Sequence, residues 1–361
     1  MSDDRWQHAK NILAIRLDYL GDLLMTTPAL RALKQARPER RLTLLTSPGA
    51  AAAAAYVPEI DDAIAYAAPW MKSSVEHDPQ HDLAMVERLR SQRYDAAVIF
   101  TVYSQNPLPA AMLCHLAGIP LRLAHCRENP YQLLTHWVRD IEPQEQIRHE
   151  VRRQLELVAA VGARTDDQRL SFRVRPDDAA WARALLQQLD IDRGRPWIVM
   201  HPGASAPSRR YPPALWKEAA LLLARRLRCP LLFTGSAQEA ELVELARDGV
   251  PGTHSLAGML DLGKLAALIA LAPLLISNNT GPAHLAAALG TPVVDLYALT
   301  NPQHTPWQVP SRVLFEDVPC RFCYKSVCPH GHQRCLSGVA PERVAGAALE
   351  LLNERFPPSP A

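Results

Sequence analysis

Three signatures of common chemistry are missing from this chain. No G-x-G-x-x-G follows the first apolar run, and neither G-x-x-x-x-G-K-[ST] nor G-x-S-x-G occurs anywhere. These absences weaken dinucleotide oxidoreductase, P-loop NTPase and serine-hydrolase readings. Charge of one sign is also lacking. Lys and Arg number 39 against 37 Asp and Glu, a net +2, so no strong field argues for a nucleic-acid partner. The longest apolar stretch, Leu265–Ile276, is too short to span a bilayer. The first residues, MSDDRWQHAKNILAIRLDYLGD, carry early acids and no long apolar core, and do not read as a signal peptide. The expectation is a soluble, cytoplasmic protein.

The 361 residues, 48% of them hydrophobic, suffice for two domains with ordinary cores. Short apolar runs alternate with helical stretches. The pattern predicts strands at Ile12–Arg16, Leu42–Thr46, Ala96–Thr101, Trp197–His201, Leu231–Thr234, Leu274–Ser277 and Val293–Tyr297. It predicts helices at Asp22–Gln35, Asp82–Arg93, His149–Val161, Asp177–Leu189, Pro213–Leu227, Ala237–Arg247, Asp261–Leu271, Pro282–Leu289 and Pro341–Leu352. Such alternation means crossover units and parallel sheets, an α/β class. It breaks around Ala163–Arg195, which is charged and poor in strand signal. The boundary is placed there, splitting the chain into two α/β halves.

Four loops at predicted strand ends carry the chemistry. Leu17 to Asp22 follows the first strand. Asp22 reads either as a helix-start acid or as a general base. His201 to Pro212 is rich in small residues, then carries Arg209 and Arg210. It reads as a surface loop or as a diphosphate cradle. Glu239, in the first turn after Leu231–Thr234, reads as dipole compensation or as an acceptor for two ribose hydroxyls. The fourth loop, in ISNNTGPAHLAAALGTPVV, puts Thr280 and Gly281 at a helix start with His284 behind them. Such a start can cap itself and can also bind an anion. The cysteines Cys320, Cys323, Cys328 and Cys335 form C-x2-C-x4-C-x6-C with His330 and His332 inside. The cluster reads as a packed cysteine-rich loop or as a structural metal site, at a spacing that fits no standard zinc module.

The stretches IRLDYLGDLLMTTPALRALKQARP, HPGASAPSRRYP and ISNNTGPAHLAAALGTPVVDLY, in this order over residues 12 to 297, resemble glycosyltransferase family 9, the ADP-heptose:lipopolysaccharide heptosyltransferases and their relatives. The later CRFCYKSVCPHGHQRCLSGVAPERV also looks like a segment of many members. The resemblance implies a GT-B fold, two Rossmann-like doubly wound domains facing a central cleft. It implies an acceptor domain at 1–170, a donor domain at 171–340, and a last helix, within 341–361, packing back on the first domain. The implied reaction is inverting transfer of heptose from ADP-heptose to a sugar hydroxyl of lipopolysaccharide core. No metal is required for the chemistry, and the enzyme works in the cytoplasm or peripherally at the inner membrane surface.

Residue by residue, the resemblance makes Asp22 the catalytic base and sets Arg16 toward the acceptor or phosphates. Arg209 faces the diphosphate, Glu239 the ribose, Leu260 the adenine, and Thr280 with Gly281 the phosphates. Asn279 stands where many members have an acid facing the donor sugar. An amide keeps hydrogen-bonding capacity, with donors added, but drops the charge. The donor sugar is therefore open. Rival readings are a family-9 transferase with a capsule, O-chain or protein acceptor, a sugar-nucleotide epimerase, and a non-catalytic nucleotide-sugar-binding protein.

Overall fold

The computed structural model describes residues 4–72 and 78–356. The chain divides into two compact units, Met1–Arg173 and Val174–Ala361. In the first, β1 (Asn11–Arg16), β2 (Arg41–Thr46), β3 (Asp62–Ala65), β4 (Ala96–Ile99), β5 (Leu121–Cys126) and β6 (His136–Arg139) pair in parallel, in the order β3-β2-β1-β4-β5-β6. In the second, β7 (Ile198–His201), β8 (Leu231–Phe233), β9 (Thr253–Ser255), β10 (Leu274–Asn278), β11 (Val293–Leu296) and β12 (Ser311–Leu314) repeat the scheme as β9-β8-β7-β10-β11-β12. Both are doubly wound Rossmann-type sheets. Their central strands are covered on both faces, so Ile12, Leu13 and Ile15 of β1 and Leu274, Leu275 and Ile276 of β10 are all buried. Strand order reverses between β1 and β4 and again between β7 and β10. Such reversals leave crevices at the strands' carboxyl ends, where ligands of this architecture bind.

Local chemistry sets the helix that follows β1. It runs Leu20–Ala36, starting two residues before the predicted Asp22, and contains Pro28. Proline cannot donate to the carbonyl four residues back. The Thr27 hydroxyl donates to that carbonyl, Leu24 O, at 2.7 Å, so the helix continues through the proline.

The sequence pattern misses β3, β5, β6, β9 and β12. Four of these have only three or four residues. β5 hides Arg122 and His125 in an otherwise apolar strand. Arg122 is buried because its guanidinium donates to the carbonyls of Leu133 and Gln132, each at 2.7 Å. His125 Nε2 meets Arg153 O at 3.1 Å.

The unit boundary falls at 173/174, against the expected 170/171. The added residues are tied to the first unit by backbone hydrogen bonds: Ser171 N donates to Thr27 Oγ1 at 2.9 Å and Arg173 N to Tyr56 O at 2.7 Å. The last helix, Pro341–Arg355, packs within the second unit. Its Val344, Ala345, Ala348, Leu351 and Leu352 belong to the second unit's core, with Trp216 and Leu223. Arg312 of β12 pairs with its Glu350 and Glu354 at 2.8 and 2.6 Å. The helix therefore completes the second unit. Among the described residues, no helix is long and apolar enough to cross a membrane.

Candidate functional site

In the first unit, the crevice beside β1 is built on a buried arginine. Arg16, the last residue of β1, is fully buried. Its guanidinium meets three carboxylates: Asp18 at 2.8 Å, Glu150 at 2.7 Å and Asp22 at 3.2 Å. A buried guanidinium is stable only when paired. Burial alone would lower its pKa, but Asp18, Glu150 and Asp22 outweigh burial and raise it. One cation cannot balance three acids. Burial pushes the Asp18 carboxyl up to about 6 in spite of Arg16, and the Asp22 charge adds to the rise. Asp18 also accepts from Gln105, while Glu150 accepts from Gln154 at 2.6 Å. Asp22 is the most exposed of the three, at 18%, and sits in the first helical turn, where the helix dipole favours an anion. Arg16 Nη2 holds its Oδ1. A cavity of about 250 Å³ opens beside this cluster, lined by Ile15, Leu17, Ile99, Thr101, Gln105 and Trp70.

In the second unit, the expected donor residues follow the carboxyl ends of β7, β8, β9 and β10, which lie side by side in the sheet in the order β9-β8-β7-β10. Asn278, fully buried, joins two of these ends. Its Nδ2 donates to the carbonyls of Pro202 and Gly203, at 2.7 and 3.3 Å, and its Oδ1 accepts from Tyr211 N at 3.0 Å. Glu239 follows β8. Its Oε2 accepts from Ser236 N and Oγ, both at 2.9 Å, closing a capping box. The same carboxylate lies over Gly203, where a Cβ would stand 2.3 Å from Oε1. Only glycine lets the β7 loop come this close. His201, at the end of β7, is buried against Thr234 Oγ1 at 2.9 Å, and burial lowers its pKa to about 4 although Glu239 opposes the shift.

Arg209 ends a short 3-10 turn, Pro207–Arg209, and is half-buried. Ser208 beside it donates from N to Ser326 O at 3.0 Å and from Oγ to Lys325 O at 2.7 Å. The cysteine-rich segment therefore holds the Arg209 turn. Leu260 is half-buried at the end of the turn after β9. That turn joins the β8 loop through Gly258 N, which donates to Gly235 O at 2.9 Å. Gly258 has φ +71 and packs against Ala237, so a side chain is doubly disfavoured there.

Thr280 is the N-cap of helix Gly281–Leu289, but its side chain makes no capping hydrogen bond. The first-turn N–H groups are thus not capped by the residue expected to do so. Asn279 is 5% exposed, and its amide turns inward. Nδ2 donates to Asp295 Oδ2 at 2.9 Å and to His304 O at 2.8 Å. The expected outward-facing amide donor is therefore already engaged. Sequence reasoning did not single out Asp18, Glu150, Asn278, Gly203 or Asp295. The doubled asparagine was the visible signal for Asn278, and the others depend on tertiary pairing.

Cys320, Cys323, Cys328 and Cys335 are free thiols lining one small cavity with His330 and His332. Cys320 Sγ lies 4.0 Å from His332 Nε2. Among the described residues, no three or more His, Cys, Asp or Glu side chains are arranged to hold a metal ion.

Asp295 sets a pH prediction. Burial pushes its carboxyl up to about 7, although Asn279 and Arg209 pull the other way, whereas the ordinary value is 3.8. Between about pH 4 and 7 the folded chain therefore holds a proton that the unfolded chain has released. The contribution of this group to stability is greatest below that window and is lost as pH rises through it. In urea unfolding, Asp295→Asn should flatten the fall in stability from pH 4 to 7. An unchanged slope would show that Asp295 is not the group responsible.

The sequence matches the profile of glycosyltransferase family 9 (heptosyltransferase) over residues 83–333. It is 27% identical to lipopolysaccharide heptosyltransferase 2 of Escherichia coli K12 over 95% of this chain and 97% of that one. Among solved structures, a family 9 glycosyl transferase from Veillonella parvula superposes with a TM-score of 0.77 at 22% identity, covering 96% of this chain and 97% of that one. The ADP-heptose lps heptosyltransferase II of E. coli superposes at 0.74 with 24% identity, covering 96% and 99%. These likenesses carry the GT-B fold class, and the profile match carries the family: the chain belongs to glycosyltransferase family 9 and is a glycosyltransferase.

Proposed function

We propose that the chain transfers a heptose from ADP-heptose to a sugar hydroxyl of lipopolysaccharide core, with inversion, using Asp22 as the general base. The observation that carries this reading is the Arg16 cluster. It leaves Asp22 as the partly exposed acid at a strand-order reversal, oriented by a buried guanidinium whose other partners are buried. The adjacent cavity, with Trp70 and apolar walls beside Gln105, suits a sugar ring, which has one apolar face and a hydroxyl rim. The E. coli relative, named for lipopolysaccharide heptosyl transfer along nearly its whole length, supports the choice of donor and acceptor. On this reading the work is done in the cytoplasm, at the inner membrane surface where lipopolysaccharide core is displayed.

The residues have separate tasks. Asp22 accepts the acceptor hydroxyl's proton as that oxygen attacks the anomeric carbon, and the bond to the ADP oxygen breaks. The transition state is oxocarbenium-like. Arg209 and the first-turn N–H groups at Thr280 and Gly281 stabilise charge on the departing diphosphate. Glu239 takes the ribose hydroxyls and Leu260 borders the adenine. Arg16 is a positioning residue for Asp22. The described residues give Arg16 no direct route to an acceptor, since the side chain is wholly buried.

The cysteine segment supports a second proposal, that Cys320, Cys323, Cys328 and Cys335 take up one thiophilic ion. The four sulfurs already share a cavity, and ligation would draw them together. Its effect would be structural, since this segment holds the Ser208–Arg209 turn. Purified protein should then carry about one zinc or iron ion per chain by elemental analysis, lost in Cys320→Ser and Cys328→Ser. Equal metal content in wild type and variants would remove the proposal.

Asp22→Asn should leave ADP binding intact and lower turnover of ADP-heptose by about 10²-fold or more, the range for a lost general base. Turnover near wild type would take Asp22 out of this role. Glu239→Ala should weaken ADP binding by about 1–2 kcal/mol, the scale of a lost hydrogen bond to a charged group. Gly203→Ala should do nearly the same, because its new methyl group displaces the Glu239 carboxylate. Calorimetry giving wild-type ADP affinity for both variants would move the ribose site elsewhere.

A further inference from the structure

An amide side chain has two hydrogens to donate and one oxygen that accepts. At Asn279 one hydrogen goes to Asp295 Oδ2 at 2.9 Å and the other to the His304 carbonyl, which can only accept, at 2.8 Å. Turning the amide over would set its oxygen against two oxygens. The partners thus decide which end is nitrogen. The backbone N–H of Asn279 is engaged as well, with Leu296 O at 3.1 Å. What Asn279 has left is Oδ1, an acceptor.

Asp295 is an unexpected partner for this task. It is fully buried on β11, opposite Ser277 of β10. Its Oδ2 serves Asn279, and its Oδ1 has no hydrogen-bond partner among the described residues. Arg209 acts on it through its charge, and Tyr297 feels the charge of Asp295 in turn. A buried acid kept half-satisfied is costly, and among the described residues its hydrogen bond goes to Asn279.

We propose that Asp295 is a specificity-determining residue for the donor sugar: with the His304 carbonyl, it locks Asn279 so that position 279 offers a sugar hydroxyl an acceptor and nothing else. This rests on the reading that the β10 loop meets the donor. A neutral amide then does the hydrogen bonding of a carboxylate, while the acid lies one layer deeper. The arrangement also makes an acid at 279 unfavourable in this chain, since it would face both Asp295 and a carbonyl oxygen.

Three variants test the lock, read by kcat/KM for ADP-heptose and ADP-glucose, by ADP calorimetry and by urea unfolding. Asp295→Ala leaves one amide hydrogen without its partner. The ratio of the two kcat/KM values should fall about tenfold, the scale of one hydrogen bond, with the ADP Kd within about twofold. Asn279→Asp should lower both stability and kcat/KM for ADP-heptose. The exchange Asn279→Asp/Asp295→Asn restores a donor facing an acceptor. It should recover stability and the sugar ratio to within about threefold of wild type. A merely structural Asp295 would change stability and leave the ratio alone. Normal wild-type turnover with an unchanged ratio in Asp295→Ala, or an exchange no better than Asn279→Asp, overturns this proposal alone. Absence of ADP binding in the wild type would overturn it together with the donor-site reading.

Discussion

A guanidinium with no solvent has to be matched by acids, and in the first unit this constraint organises the site. Arg16 ends the central strand β1, and Asp18, Asp22 and Glu150 converge on it from the following loop, the next helix and a helix more than a hundred residues later. Removing Arg16 would leave buried acids unpaired, and removing an acid would leave the cation partly unpaired. The four side chains therefore hold one another in place. The acid that remains accessible is the one on the first turn of the helix. Its exposure follows from the burial of the others, and its orientation from Arg16.

The second unit reaches an ordered crevice by a different route. Its strand ends are joined by neutral amides. Asn278 bridges the β7 and β10 ends, and Asn279 bridges β10 to β11 and to His304. Neutral amides organise loops without adding fixed negative charge at the surface, which is what the proposed diphosphate site requires. Glu239 is the exception, and its carboxylate is already drawn toward backbone and hydroxyl donors at Ser236. The cysteine-rich segment adds support from outside, through Ser208.

Much of this is legible in the sequence where physics acts locally. Strands such as Ile12–Arg16 and Leu274–Ser277 are continuous apolar runs because both faces of a parallel sheet are covered. Helix starts at Pro213 and Gly281 announce themselves through proline and glycine. Strands of three or four residues at sheet edges carry too little pattern to be seen, and β5 is masked by Arg122 and His125, whose burial depends on distant carbonyls. The last helix reads correctly as a helix, yet its packing partner is set by which core its Leu351 and Leu352 enter. Asp22 and Glu239 are visible as acids at helix starts, whereas the inward turn of Asn279 is not, since it needs Asp295 and His304 in place. Local composition thus announces which loops matter, and long-range pairing decides which atoms in them are left to act.

The most direct measurement is the anomeric configuration of the bond that the wild-type protein makes from ADP-heptose, read from the NMR signals of the product's anomeric centre. A single displacement with Asp22 as base requires inversion relative to the donor. Retention would contradict the account, because it needs a covalent or otherwise two-step path and a second group on the sugar's other face, a part that no residue plays in this scheme.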